Sequence, residues 1–236
     1  RRYRLFFMLG NFFANYQAYN LDSWVVLLII LTTLSIAYSS KRIGRINKKS
    51  GYNRFAIAFI FISISYVFQM LARAVVYSTI NPSVSGFFAS LSEIFPPQVF
   101  NVLFHSLYEF FNLLGFFLIL SVLFSIKNRK IILGVLLCLG IAMLGVGFQS
   151  VFHITSAVFL IFLTARLYEN YTKHQGAHSF LVLAGFALLL IGSLLLIFSV
   201  MNGTFYFLGG LITLIAYFIL LINQVHIFTS NGTKEN

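Results

Sequence analysis

Long apolar stretches, each near the length that crosses a bilayer, dominate the chain and alternate with short polar links. A span needs about 20 mainly apolar residues at 1.5 Å rise each. That criterion predicts seven spans: residues 22–40, 55–77, 98–126, two within 131–168, then 179–201 and 205–228. The first opens with Asn20 and Asp22 as caps and Trp24 as an interfacial anchor, and the third follows Pro96-Pro97. Residues 131–168 are too many for one span, so Gly145-Val146-Gly147 divides them into a tight helical hairpin. Asn11, Asn15 and Gln17 interrupt the apolar stretch behind Arg1, Arg2 and Arg4, which predicts an interfacial helix over residues 1–20. The expected fold is all-α: a polytopic integral membrane protein with a bundle of seven transmembrane helices over residues 21–228. A short cytoplasmic tail, 229–236, follows it.

Composition sharpens this picture. Of 236 residues, 59% are hydrophobic and 9% charged, and no soluble domain hides that much apolar surface. The same figures exclude a disordered chain and a disulfide scaffold, and Cys138 lies alone within an apolar run. The net charge of +11 would suggest nucleic acid in a soluble protein. Here the basic residues sit in alternate links: Lys41, Arg42, Arg45, Lys48, Lys49 and Arg54, then Lys127, Arg129 and Lys130, then Arg166 and Lys173. The links between contain no Lys or Arg, so the positive-inside rule puts the N-terminus outside and the C-terminus inside a cell membrane. The partners this implies are the lipid bilayer and a protein docking on the basic inner face; nucleic acid is not among them.

An ionisable side chain at membrane depth is a functional hypothesis by default. Asn101, His105, Glu109 and Asn112 share one face of the third span, and Ser65, Gln69, Arg73 and Tyr77 share one face of the second. Gln149, His153 and Ser156 do the same after Gly147. Rise per residue places His105, His153 and Arg73 about 7 Å in from the outer ends, with Gln69 and Glu109 about 13 Å in. Tyr206, Thr213, Tyr217 and Gln224 form a mildly polar face on the last span. Gly185, Gly192 and Gly209-Gly210 read as positions of close helix packing, and His174, His178, Asn223 and His226 as loop and helix-end residues.

Two accounts of the polar residues stand side by side. In the structural one, Arg73 and Glu109 form an ion pair and the histidines join helices through hydrogen bonds. In the functional one, Gln69, Arg73, His105, Glu109, Asn112, Gln149 and His153 line a pocket in the outer half that binds a small ligand or ion. A metal held by His105, Glu109 and His153, or a haem between the two histidines, is a weaker version of that pocket. The last span has no lysine for retinal, and the third has no acidic-arginine-aromatic triplet of the receptor type. The function expected is a receptor- or sensor-like module. The alternatives are a transporter or channel subunit, and an intramembrane metal-dependent enzyme or haem protein.

Overall fold

The structure, a computed structural model, describes residues 2–47, 50–80, 96–126, 134–135, 149–200 and 203–232. These residues form α1 (Arg2–Asn47), α2 (Ser50–Ile80), α3 (Pro97–Leu123), α4 (Gln149–His174), α5 (Ala177–Ile197) and α6 (Gly203–Gly232). One turn of 3-10 helix, Phe198–Val200, follows α5, and there is no strand among the described residues. Six helices among them are long and apolar enough to cross a membrane, against the seven expected. The difference falls on the predicted hairpin. Its first limb and the Gly145-Val146-Gly147 turn lie outside the described residues, apart from two helical residues at 134–135.

Helix ends depart from the hydropathy boundaries in instructive ways. α1 runs without a break through Asn20 and Asp22, which therefore do not cap it. Neither residue forbids helical backbone, and the nearest proline lies far downstream. At 46 residues the helix is about 69 Å long, more than the roughly 40–45 Å of a bilayer with its headgroups. At its other end α1 continues through Lys41–Asn47, where Ile43 is buried. A Cβ on Gly44 would stand 2.9 Å from Asn53 Oδ1 and 3.1 Å from Tyr52 Cβ, so glycine lets α1 and α2 approach closely here. α3 has Pro97 in its first turn, where the missing N–H costs nothing. It stops at Ser125 (φ 52°), with the Ile126 N–H donating to Ser121 O at 2.9 Å. α4 runs six residues past the expected end at Tyr168, and a two-residue link, Gln175-Gly176, joins it to α5.

Each helix packs on its neighbour in sequence, and α6 closes the ring against α1. Cross-helix contacts fix the directions. Ser63 donates to Ile30 O, Asn112 to Ser65, and Ser193 to His153 O, each consistent with antiparallel neighbours. α3 and α4 are the exception. Tyr108 meets Phe152 and Phe117 meets Phe159, so these two run parallel. We refer to the end holding the C-terminus of α2 and the starts of α3, α4 and α6 as the upper end. The α1 span then starts at the upper end, and α6 finishes at the lower one.

Burial is inverted relative to a soluble globule. Trp24, Leu28, Leu31, Leu34 and Tyr38 stand exposed along one stripe of α1, and Leu208, Ile215, Phe218, Ile222 and Val225 along α6. Such stripes suit lipid contact rather than water. Serine and threonine are turned inward: Thr32, Thr33, Ser40, Ser63, Ser65, Ser121, Ser156 and Ser193 are all buried. Thr32, Thr33, Ser65 and Ser121 satisfy themselves on the preceding turn, as Thr33 does on Ile29 O at 2.8 Å. The chain is a multi-pass helical membrane protein.

Candidate functional site

The interior of the ring holds a cavity of about 30 Å³ where α2, α3, α4, α5 and α6 meet. Its polar wall comprises Tyr66, Tyr108, Asn112, His153, Ser156, Ser193, Thr213 and Tyr217; Phe116, Phe152, Leu160, Leu189 and Leu196 complete it. The three tyrosines cluster, with Tyr66 5.9 Å from Tyr108 and edge-on to Tyr217 at 6.1 Å between centroids. Asn112 donates to Ser65 Oγ at 3.2 Å, which fixes the carboxamide across the α2–α3 seam. Ser193 donates to the His153 carbonyl at 3.2 Å across α4–α5. Ser156 Oγ and the Tyr217 hydroxyl are buried in this wall with no protein hydrogen-bond partner. A polar cavity of this size has room for one or two waters, and two orphaned hydroxyls supply the partners a water needs.

Above the cavity lie the charged residues. Arg73 donates to the Tyr206 hydroxyl on α6, with its guanidinium carbon 5.7 Å from the centre of that ring. His105 Nε2 lies 3.2 Å from Glu109 Oε1, one turn apart on α3, with side chains 31% and 13% exposed. Arg73 and Glu109 therefore do not form the expected ion pair. The carboxylate is met by an imidazole on its own helix, which needs no interhelical reach, and the arginine finds a hydroxyl and a ring face on α6. Gln69 is half-buried, and its Oε1 has no hydrogen-bond partner. Gln149 opens α4, and its side chain lies outside the described residues.

Of the predicted pocket residues, Asn112 and His153 reach the cavity itself, while Arg73, His105 and Glu109 make contacts above it. The proposed metal set does not assemble. Among the described residues no three His, Cys, Asp or Glu side chains stand close enough to share an ion. His105 turns along α3 to Glu109, whereas His153 faces the cavity, so the shared depth of these residues does not become a shared point. The cavity beside His153, about 30 Å³, is far smaller than the roughly 300–1,000 Å³ of pockets that hold drug-sized ligands, so it does not accommodate a haem as it stands.

Sequence reasoning that counted charges missed Tyr66, Tyr108 and Ser193. A signal was present: Tyr108 lies three residues after His105 and four before Asn112, on the same face. Tyr66 lies seven residues before Arg73. Thr213 and Tyr217, on the polar face of the last span, do line the interior as expected.

Below the cavity the wall changes character. Moving two turns, about 10 Å, down each helix face leads from Tyr66 to Phe59, Asn112 to Ile119, Ser156 to Leu163, Ser193 to Phe186, and Thr213 to Leu220. All five arrivals are 0–3% exposed and belong to one apolar cluster. The polar space is thus blind, floored by a layer drawn from five helices.

No protein-family model, curated protein or solved structure matches the chain. Its class rests on fold and site alone: a ring of membrane-spanning helices around a small, blind polar cavity.

Proposed function

We propose that the chain is a receptor- or sensor-like membrane protein of seven spans, with a polar pocket in the outer half that takes a small ligand or ion. The observation that carries this reading is the blind cavity under a charged rim. A sensor needs a site reachable from one side and closed to the other, and the Phe59 layer supplies that closure. The polar wall comes from five helices, so a ligand seated there would shift their mutual packing. With no lining carboxylate, the wall suits a small neutral or singly charged guest.

The parallel course of α3 and α4 supports the seventh span, since α3 ends at the lower end and α4 begins at the upper one. The apolar stretch that starts at residue 131 would supply it. Lys41, Arg42, Arg45, Arg54, Arg166 and Lys173 lie toward the lower end, which is then cytoplasmic and is the face for a partner protein. Residues 2–20 continue α1 without a break and would project past the outer interface instead of lying along it as expected. Ser50→Cys should therefore resist impermeant thiol reagents on intact cells and react once the cells are opened. Labelling of Ser50→Cys on intact cells would invert the topology.

The runner-up is a transporter or channel, which needs a polar path through the apolar layer. Reconstituted in liposomes, the protein should carry no proton, sodium or potassium flux above protein-free vesicles. Saturable flux abolished by a change at Asn112 would overturn the sensor reading in favour of the transporter.

A further inference from the structure

A second group of polar residues lies at the lower end, away from the cavity. His178, in the first turn of α5, and His226, near the end of the α6 span, meet edge to face with ring centroids 4.7 Å apart. Asn223, 1% exposed and one turn before His226, brings its Oδ1 to 3.2 Å from His178 Nδ1. A carboxamide oxygen only accepts, so this contact puts the His178 proton on Nδ1 and leaves the Nε2 lone pair available. That is the arrangement of a metal-binding histidine, in which the second ring nitrogen donates to a fixed oxygen that sets the tautomer.

The spacing agrees. An imidazole nitrogen binds zinc at about 2.0–2.1 Å, so two rings sharing one ion hold their centroids roughly 4.5–5.1 Å apart for bond angles of about 90–109°. The observed 4.7 Å falls inside that window, and one ring must turn out of the edge-to-face contact for both nitrogens to face the ion. His226 is exposed and His178 half-buried, so an ion would keep water on its remaining positions.

We propose that His178 and His226 form a two-histidine site for a divalent transition-metal ion, oriented by Asn223 and clipping the start of α5 to the end of α6. Imidazole donors suit zinc, copper and nickel, and disfavour magnesium and calcium. This proposal does not depend on the pocket, though both helices contribute to the cavity wall through Ser193, Thr213 and Tyr217.

The test is zinc titration of the untagged protein in detergent, followed by calorimetry and by the thermal unfolding midpoint, with magnesium as the comparison. One zinc per chain should bind and raise the midpoint, and magnesium should do neither. His178→Ala and His226→Ala should each weaken zinc binding at least tenfold and remove the midpoint shift. Asn223→Ala should weaken it by about tenfold, the usual scale for a residue that orients a ligand. The proposal is overturned if the parent binds no zinc, or if both histidine variants bind it as the parent does. Loss of binding on His105→Ala with His226→Ala unaffected would also overturn it, by moving the ion to the upper rim.

Discussion

Phe59→Ala should lower the unfolding free energy by about 3–5 kcal/mol, the scale for removing a fully buried aromatic side chain. Phe59 is 0% exposed, tilted against Phe55 at 4.9 Å and edge-on to Tyr217 at 6.3 Å between centroids. Its neighbours are wedged among helix backbones that collapse poorly, so most of the cavity should persist. The location makes the consequence more than energetic. Phe59 lies two turns below Tyr66, and the new space would join the polar cavity at its floor. Liposomes bearing the variant should therefore leak protons where the parent does not. Phe61 provides the contrast. It stacks on Phe111 at 5.7 Å but is only partly buried, so Phe61→Ala should cost about 1–2 kcal/mol and cause no leak. Denaturant unfolding in mixed micelles and a pH-sensitive dye inside the liposomes measure both. A Phe59→Ala loss below 1 kcal/mol, with tight liposomes, would show that this layer is not the floor.

Much of this architecture was legible in the sequence, because hydropathy reports length and side-chain period reports faces. Register turns Ser65, Gln69, Arg73, His105, Glu109, Asn112, His153 and Thr213 inward; Ser65, Asn112, His153 and Thr213 are buried, and the other four are half-buried. What register cannot report is the rotation and offset of one helix against the next. Register sets Arg73 and Glu109 a turn apart in depth and predicts that they meet, but Arg73 faces α6 and Glu109 is held by His105. Tyr206 stood on the polar face of the last span, yet nothing local tied it to Arg73, 133 residues away. Helix ends escape hydropathy for another reason. Apolarity fades at Tyr168, but backbone hydrogen bonding continues through Glu169–His174 and ends at Gln175 (φ 36°). Sequence alone separates the lower histidines, His178 in a link and His226 at the end of the last span, and only the antiparallel α5–α6 packing brings them together.

That same α5–α6 packing sets the second large effect: Gly192→Leu should destabilise the protein by about 3 kcal/mol or more. A Cβ on Gly192 would stand 2.7 Å from Thr213 Oγ1 and 3.2 Å from Gly209 O. A Cβ on Gly209 would stand 2.9 Å from Leu196 Cγ and 3.1 Å from Gly192 O. Each glycine therefore meets the other's carbonyl, and these backbone atoms cannot swing aside as a side-chain tip can. Thr213 is no more yielding, because its hydroxyl already donates to Gly209 O at 2.8 Å. Small residues at such a crossing let two helices approach closely, which is where packing in a bilayer gains most. Any larger side chain must push α5 and α6 apart, and since Ser193 and Thr213 line the cavity, the separation should widen it as well. Alanine should already cost about 1–3 kcal/mol, outweighing the roughly 1 kcal/mol of helix propensity it gains over glycine. Gly51 calibrates the series, since a Cβ there meets only Val122 Cγ1 at an ordinary 3.7 Å. Gly51→Ala should be neutral or stabilise by up to about 1 kcal/mol. Unfolding of the three variants in one detergent gives the comparison. A Gly192→Ala protein as stable as Gly51→Ala would mean that α5 and α6 do not cross in backbone contact at this point.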